Sequence, residues 1–193
     1  FAISTDRTEY GLFANISTYQ DANGQTQSTI LKNIIVDYSE FNTANNGKLL
    51  LTQNDITDIT FGGLVANNNG ALIYNCDVMN LSASTKTINI VVDNSDDVNV
   101  TFGGLVGNNS GIITNSRVGK DGYTRITADQ YSESTNYVTG GALQFIVGDT
   151  TASEGGQGFV ATTGGFVGVN TGTIASSFVS NTSLVNYSTA PEG

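Results

Sequence analysis

Apolar residues along this chain come in short β-branched or aromatic runs, interrupted by Gly, Asn, Ser and Thr. No window sustains the 3.6-residue period of an amphipathic helix, because Gly or a β-branched residue breaks every candidate. Period-two patterning is clear instead. Thr87–Asp93 alternates with Ile88, Ile90 and Val92 on one face, and Ala142–Val147 does the same with Leu143, Phe145 and Val147. Ile30–Tyr38 is β-branched and apolar at both parities over part of its length, and with these two it reads as a half-buried strand. The pattern predicts an all-β chain.

The runs also repeat. Residues 60–78 read T-F-G-G-L-V-A-N-N-N-G-A-L-I-Y-N-C-D-V, residues 100–118 read V-T-F-G-G-L-V-G-N-N-S-G-I-I-T-N-S-R-V, and residues 163–179 read T-G-G-F-V-G-V-N-T-G-T-I-A-S-S-F-V. Each copy joins a strand-like run (Ile59–Phe61, Val98–Phe102, Phe159–Ala161) to a Gly pair, Gly62–Gly63, Gly103–Gly104 or Gly164–Gly165. Seven residues after the second Gly stands a turn glycine, Gly70, Gly111 or Gly172. A second run follows (Ala71–Tyr74, Ile112–Thr114, Thr173–Ala175), and each copy ends in a Val, at 78, 118 or 179. A degenerate copy at 10–16, Y-G-L-F-A-N-I, keeps Gly11 and Ala14 but has no turn glycine. From Gly11 to Gly63, Gly104 and Gly165 the successive spacings are 52, 41 and 61 residues.

A constant core with spacers of variable length is the mark of a stacked repeat whose units bury their apolar face only against one another. The expected fold is therefore a parallel β-helix or β-solenoid of about four irregular coils with loop insertions. Residues 1–193 form one such domain or a segment of a longer one, with repeat cores at 10–16, 60–78, 100–118 and 163–179 and an insert at 120–158. Gly63, Gly104 and Gly165 are expected to share a corner, and Asn75 and Asn115, with Ser176, a stack. A β-sandwich of antiparallel hairpins is the alternative, but it leaves the repeated turn chemistry unexplained.

The segments F-G-G-L-V-A-N-N-N-G and F-G-G-L-V-G-N-N-S-G resemble the GLUG repeat, whose core is Gly-Leu-hydrophobic-Gly. Gly104-Leu105-Val106-Gly107 matches it fully; Gly63-Leu64-Val65-Ala66 ends in Ala and Gly165-Phe166-Val167-Gly168 carries Phe at the second place. The resemblance spans roughly 60 residues in three copies. It implies a secreted or cell-surface bacterial protein, since such repeats occur in large adhesin-like proteins and beside the catalytic domain of peptidases that cleave immunoglobulin A. The His-containing zinc site of those peptidases has no counterpart here.

Composition narrows the chemistry. Gly, Asn, Thr and Ser make up 87 of 193 residues, charged residues are 12%, and hydrophobic residues are 38%, enough for a folded chain once glycine is added. With no His, the chain has no His-based acid–base pair, serine-protease triad or His-ligated zinc. Cys76 is the single cysteine and is expected to be a small packed residue. A net charge of −10 argues against nucleic acid and anionic membrane surfaces, and no apolar run reaches the ~18 residues of a membrane span.

Asp93, Asp96 and Asp97 are the candidate acids for a carbohydrate-active β-helix hydrolase or lyase, and also the oxygen ligands from which a calcium site would be built. The same segment reads as an exposed acidic turn, and Asp21–Gln25 reads as another. Gly155–Phe159 approaches a calcium-binding repeat but lacks its Asp. The glycine motifs lack the Lys-Ser/Thr and helix of a phosphate cradle, so they read as structural: Gly62, Gly63, Gly70, Gly103, Gly104, Gly107, Gly111, Gly164, Gly165, Gly168 and Gly172. Tyr10, Tyr19, Tyr123, Tyr131, Tyr137 and Tyr187 are scattered candidates for sugar stacking, and Asn15, Asn80, Asn99, Asn108, Asn181 and Asn186 open N-glycosylation sequons.

These readings converge on a non-enzymatic structural or adhesive module of an exported surface or filament-forming protein, with no catalytic, cofactor or metal residue assigned. A start at Phe1 fits a segment of a larger gene product. Its expected partners are neighbouring coils of a longer chain or other copies end to end, because solenoid ends expose unpaired strand edges. A host or glycan ligand fits the adhesive reading. Nucleic acid and membrane insertion do not.

Overall fold

The computed structural model describes residues 8–39, 48–51, 58–82, 84–92, 98–119, 142–147 and 159–186. These residues are all-β, with no helix among them, and the chain makes four successive rounds through the same five sheets. The first round runs β1 (Glu9–Tyr10), β2 (Phe13–Gln20), β3 (Thr26–Ser28), β4 (Ile30–Lys32), β5 (Ile35–Asp37) and β6 (Lys48–Leu51). The second comprises β7 (Asp58–Gly62), β8 (Val65–Asn69), β9 (Leu72–Tyr74), β10 (Asp77–Met79) and β11 (Lys86–Val92). The third comprises β12 (Val98–Gly103), β13 (Val106–Asn109), β14 (Ile112–Thr114), β15 (Arg117–Val118) and β16 (Leu143–Val147). The fourth comprises β17 (Phe159–Gly164), β18 (Val167–Asn170), β19 (Thr173–Ala175), β20 (Phe178–Val179) and β21 (Thr182–Asn186).

Each sheet takes one strand from every round: β1-β7-β12-β17, β2-β8-β13-β18, β4-β9-β14-β19, β5-β10-β15-β20 and β6-β11-β16-β21. All of these pairings are parallel, and β3 alone pairs antiparallel, along β2. A sandwich of antiparallel hairpins is thereby excluded for the described residues. The register sets repeat positions side by side: Phe61↔Phe102↔Thr163, Val65↔Val106↔Val167, Ile73↔Ile113↔Ile174 and Val78↔Val118↔Val179.

Apolar residues on the enclosed strand faces, chiefly of the second and third rounds, form one core. Val65, Ile73, Val78, Phe102, Val106, Ile113, Val118, Leu143 and Phe145 are fully buried. Phe61 and Phe102 stack with ring centroids 5.2 Å apart, and Phe145 closes on Phe102 from another sheet at 5.0 Å. Parallel in-register pairing puts like beside like, so the core consists of columns of similar side chains.

Several local expectations change. Asn67–Asn69, Asn108–Asn109 and Asn170 lie within strands that run up to the turn glycines. Ile30–Tyr38 is two strands, bent at Asn33, which adopts φ 60°. Gly11 lies where the β1 register runs onto Gly62 and the β2 register onto Gly63. Tyr10 pairs with Phe61 and Phe13 with Val65, so the first corner spans two residues where later ones use three. Within the expected insert 120–158, Leu143–Val147 is a sheet strand, as its alternating apolar residues require. The other residues of that span lie outside the described residues, apart from Ala142.

Candidate functional site

The repeated residues build stacked corners and ladders. At the first corner, the Gly63 and Gly104 amides donate to Gly103 O at 3.2 Å and Gly164 O at 3.1 Å in the next round. Backbones here approach so closely that a Cβ on Gly63 would sit 2.2 Å from Gly104 O, and one on Gly104 would sit 2.1 Å from Gly165 O. Side chains are excluded by the neighbouring round. Gly107 and Gly168 meet the preceding round just as tightly, through Ala66 O at 2.8 Å and Phe102 O at 2.7 Å, and Gly111 and Gly172 through Ala71 O at 2.2 Å and Gly111 O at 2.1 Å. For Gly62, Gly103 and Gly164 the obstruction is local, from the carbonyl three residues on. Gly70 turns with φ 89°.

The second corner repeats a left-handed conformation without glycine. Asn33, Asn75, Asn115 and Ser176 have φ of 60°, 56°, 50° and 49° and stack one above another. Asn tolerates this region better than most residues because its amide bonds locally. Asn75 Nδ2 donates to Asn33 Oδ1 at 2.5 Å, and the Asn75 and Asn115 amides donate to Thr114 O and Ala175 O. The ladder expected from Asn75, Asn115 and Ser176 thus extends to the first round, where the degenerate copy hid Asn33.

A second ladder, missed in the sequence, is buried. Asn68 Nδ2 donates to Asn109 Oδ1 and Asn109 Nδ2 to Asn170 Oδ1, each at 2.7 Å. Every member gives its other amide hydrogen to its own turn: Asn68 to Ala71 O, Asn109 to Gly111 O and Asn170 to Gly172 O. Asn68 is 0% exposed and Asn109 2%. Burial of these amides is tolerable only because each polar atom finds a partner. The signal was present: an Asn precedes each turn glycine by two residues. An outer ladder, Asn108 to Asn67 to Asn15, runs beside it with bonds of 2.9 Å.

One ion pair is enclosed with them. Arg117 Nε lies 3.2 Å from Asp77 Oδ2, and both side chains are buried. Asp77 and Arg117 share a register position next to Val78 and Val118. Opposite charges at one repeat position are legible in the sequence once the register is known.

The remaining candidates fall apart spatially. Cys76 is buried, its Sγ 3.4 Å from Tyr74 O and 3.7 Å from Leu31 O. Asp21 organises the β2–β3 turn, with Oδ1 accepting from the Asn23 and Gln25 amides at 2.9 Å, and these bonds hold its carboxyl below the ordinary aspartate value. Tyr38 donates to Gly63 O at 3.3 Å, and burial pushes its phenol upward. Tyr10 packs against the core and Tyr19 is exposed. Of the sequons, Asn15 and Asn108 belong to the outer ladder, and Asn80 is buried with Nδ2 on Ser84 O and Ala142 O. Asn99 donates to Asp58, Asn181 has φ 45°, and Asn186 ends β21.

Asp93, Asp96, Asp97, Gly155–Gly158, Tyr123, Tyr131, Tyr137 and Tyr187 lie outside the described residues. Among the described residues no three of His, Cys, Asp and Glu converge as a metal site would need. No described helix is long and apolar enough to cross a membrane. Neither a family model, nor a curated protein, nor a solved structure shows a match to this chain.

Proposed function

We propose that the chain is a parallel β-solenoid of four coils, related to GLUG-repeat proteins. In this reading it serves as a non-enzymatic structural or adhesive module of an exported cell-surface or filament-forming protein. One observation carries it: the residues that recur in the sequence are spent on holding one round against the next. The glycines admit close approach, Asn68, Asn109 and Asn170 bond between rounds, and Asn33, Asn75 and Asn115 turn the second corner. Catalysis would need further, non-recurring residues that converge on a space for substrate.

Function here is mechanical. Each coil is tied to its neighbours by five parallel ladders, so stress is shared among many backbone hydrogen bonds. The stiff stack separates whatever lies at its two ends and carries exposed loops and Asn-rich faces for contact. Its partners would be neighbouring coils, other copies, or a host or glycan ligand.

Two measurements test the reading. Pulling the protein from its ends should extend it in steps of one coil. The 41-residue separation of the second and third coils should release about 14 nm of chain, and the 61-residue separation of the third and fourth about 21 nm. Incubation with polysaccharide and peptide panels, with and without calcium, should give no turnover. Turnover abolished by Asp96→Asn or Asp97→Asn would replace the module with a carbohydrate-active enzyme.

A further inference from the structure

The two ends of the stack are chemically different. At the N-terminal end β3 lies antiparallel along the last three residues of β2, beyond the stretch that stacks on β8, pairing Thr18–Ser28, Tyr19–Gln27 and Gln20–Thr26. The inner Asn ladder also stops there, because Ile16 stands opposite Asn68. At the C-terminal end nothing described covers the fourth round. Ile174 and Val179 are 38% and 41% exposed, whereas their register partners Ile113 and Val118 are 0% exposed. Hydrogen bonds between rounds run both ways, and at the first corner an N–H of one round reaches a C=O of the next, as in Leu64 to Leu105 and Leu105 to Phe166. Among the described residues, Phe166 has no following round to receive its own N–H.

Two side-chain details say what fits this face. The inner ladder is directional: each Asn donates one hydrogen to its turn and one to the next Asn. Asn170 donates to Gly172 O, and its second hydrogen faces the open end with no described acceptor. Gly165 is the other detail. A Cβ on Gly63 or Gly104 would collide with the next round's carbonyl, but a Cβ on Gly165 would meet nothing closer than Val179 Cγ1, at 3.8 Å. Its backbone is not in the left-handed region either. Gly165 is thus a glycine that the four rounds do not require, at the position where a fifth would require one.

We propose that the C-terminal face of the fourth round is a docking site for a further repeat round, an extended polypeptide carrying the Gly-Gly and Asn-x-Gly register and received in parallel. Its Asn Oδ1 accepts from Asn170, its corner carbonyl closes over Gly165, and its apolar residues cover Ile174 and Val179. The N-terminal end of a second copy is a poor occupant. It presents Ile16 at the ladder position, a corner shortened by one residue, and a β2 whose last three residues already pair with β3. This inference rests on the solenoid reading above.

The test uses the whole chain and a fluorescent peptide of residues 98–118, with anisotropy as the readout and sedimentation velocity alongside. The peptide should bind wild type, lose at least tenfold in affinity to Gly165→Ala, and lose affinity to Asn170→Ala. Replacing the peptide's own Asn109 by Ala should weaken it as well. Gly165→Ala should melt like wild type, so the loss is not unfolding. No binding, or equal binding to Gly165→Ala, overturns the proposal. So does self-association that the peptide fails to compete with, which would assign the face to a second copy. Gly104→Ala separates the two levels: if it unfolds the protein while the peptide fails to bind wild type, the docking idea falls and the stacked fold stands. If Gly104→Ala is tolerated, the stacking itself is wrong.

Discussion

Replacing Asn109 by Ala removes the middle member of the buried ladder, and the cost can be worked from its bonds. Asn68 Nδ2 loses its acceptor at 2.7 Å in a residue that is 0% exposed, while the Gly111 carbonyl loses the longer bond from Asn109 Nδ2 at 3.4 Å and keeps the Thr173 N–H at 2.9 Å. A buried group left unpaired costs about 1–3 kcal/mol. Asn170 Oδ1 also loses its donor, but Asn170 is exposed and water replaces the bond. The missing amide leaves a small void besides, so the expected loss is roughly 2–4 kcal/mol. Asn108→Ala breaks an outer, half-exposed ladder and should cost under about 1 kcal/mol. Urea unfolding followed by circular dichroism should place the two variants far apart in midpoint with similar slopes. The Asn68→Ala/Asn109→Ala pair should cost less than the two single changes together, because each alone orphans the other's amide. Equal costs for Asn108→Ala and Asn109→Ala, or strict additivity in that pair, would refute the ladder argument.

Other outcomes follow from the same geometry. Gly104→Ala drives a Cβ to 2.1 Å from Gly165 O and should destabilise by about 3 kcal/mol or more, while Gly165→Ala, with open space, should stay within about 0.5 kcal/mol of wild type in thermal melts. Arg117→Met removes the ion-pair partner of the buried Asp77, an expected loss of about 3–5 kcal/mol that the Asp77→Leu/Arg117→Met double variant should largely recover in denaturant midpoint. Because Asp21 is held below the ordinary aspartate value, its turn is fully stabilised above that value. That contribution should fade as pH falls through the depressed value, and amide NMR shifts of Asn23 and Gln25 should report it. Asp21→Asn should keep the turn and lose the pH dependence.

Much of the architecture could be read from the chain alone because a stacked repeat writes its contacts twice. The paired glycines, the turn glycines and the closing Val residues recur at matching positions, and each recurrence states that the same neighbour is met again one round later. Alternation in Thr87–Asp93 and Ala142–Val147 marked the fifth sheet for the same reason, since a face that is buried must be apolar at every second residue. Tertiary structure decided what has no local signature. Asn68, Asn75 and Asn108 are the same residue in similar company, yet one is enclosed, one turns a corner and one lines the outside, according to which way the strand presents it. Asp77 and Arg117 are 40 positions apart and meet only when the register is set. Gly104 and Gly165 carry the same motif, but a neighbouring carbonyl forbids a side chain at one and not at the other. Local sequence chooses the strand and the bend; the presence or absence of a neighbour 2 Å away is settled only by stacking.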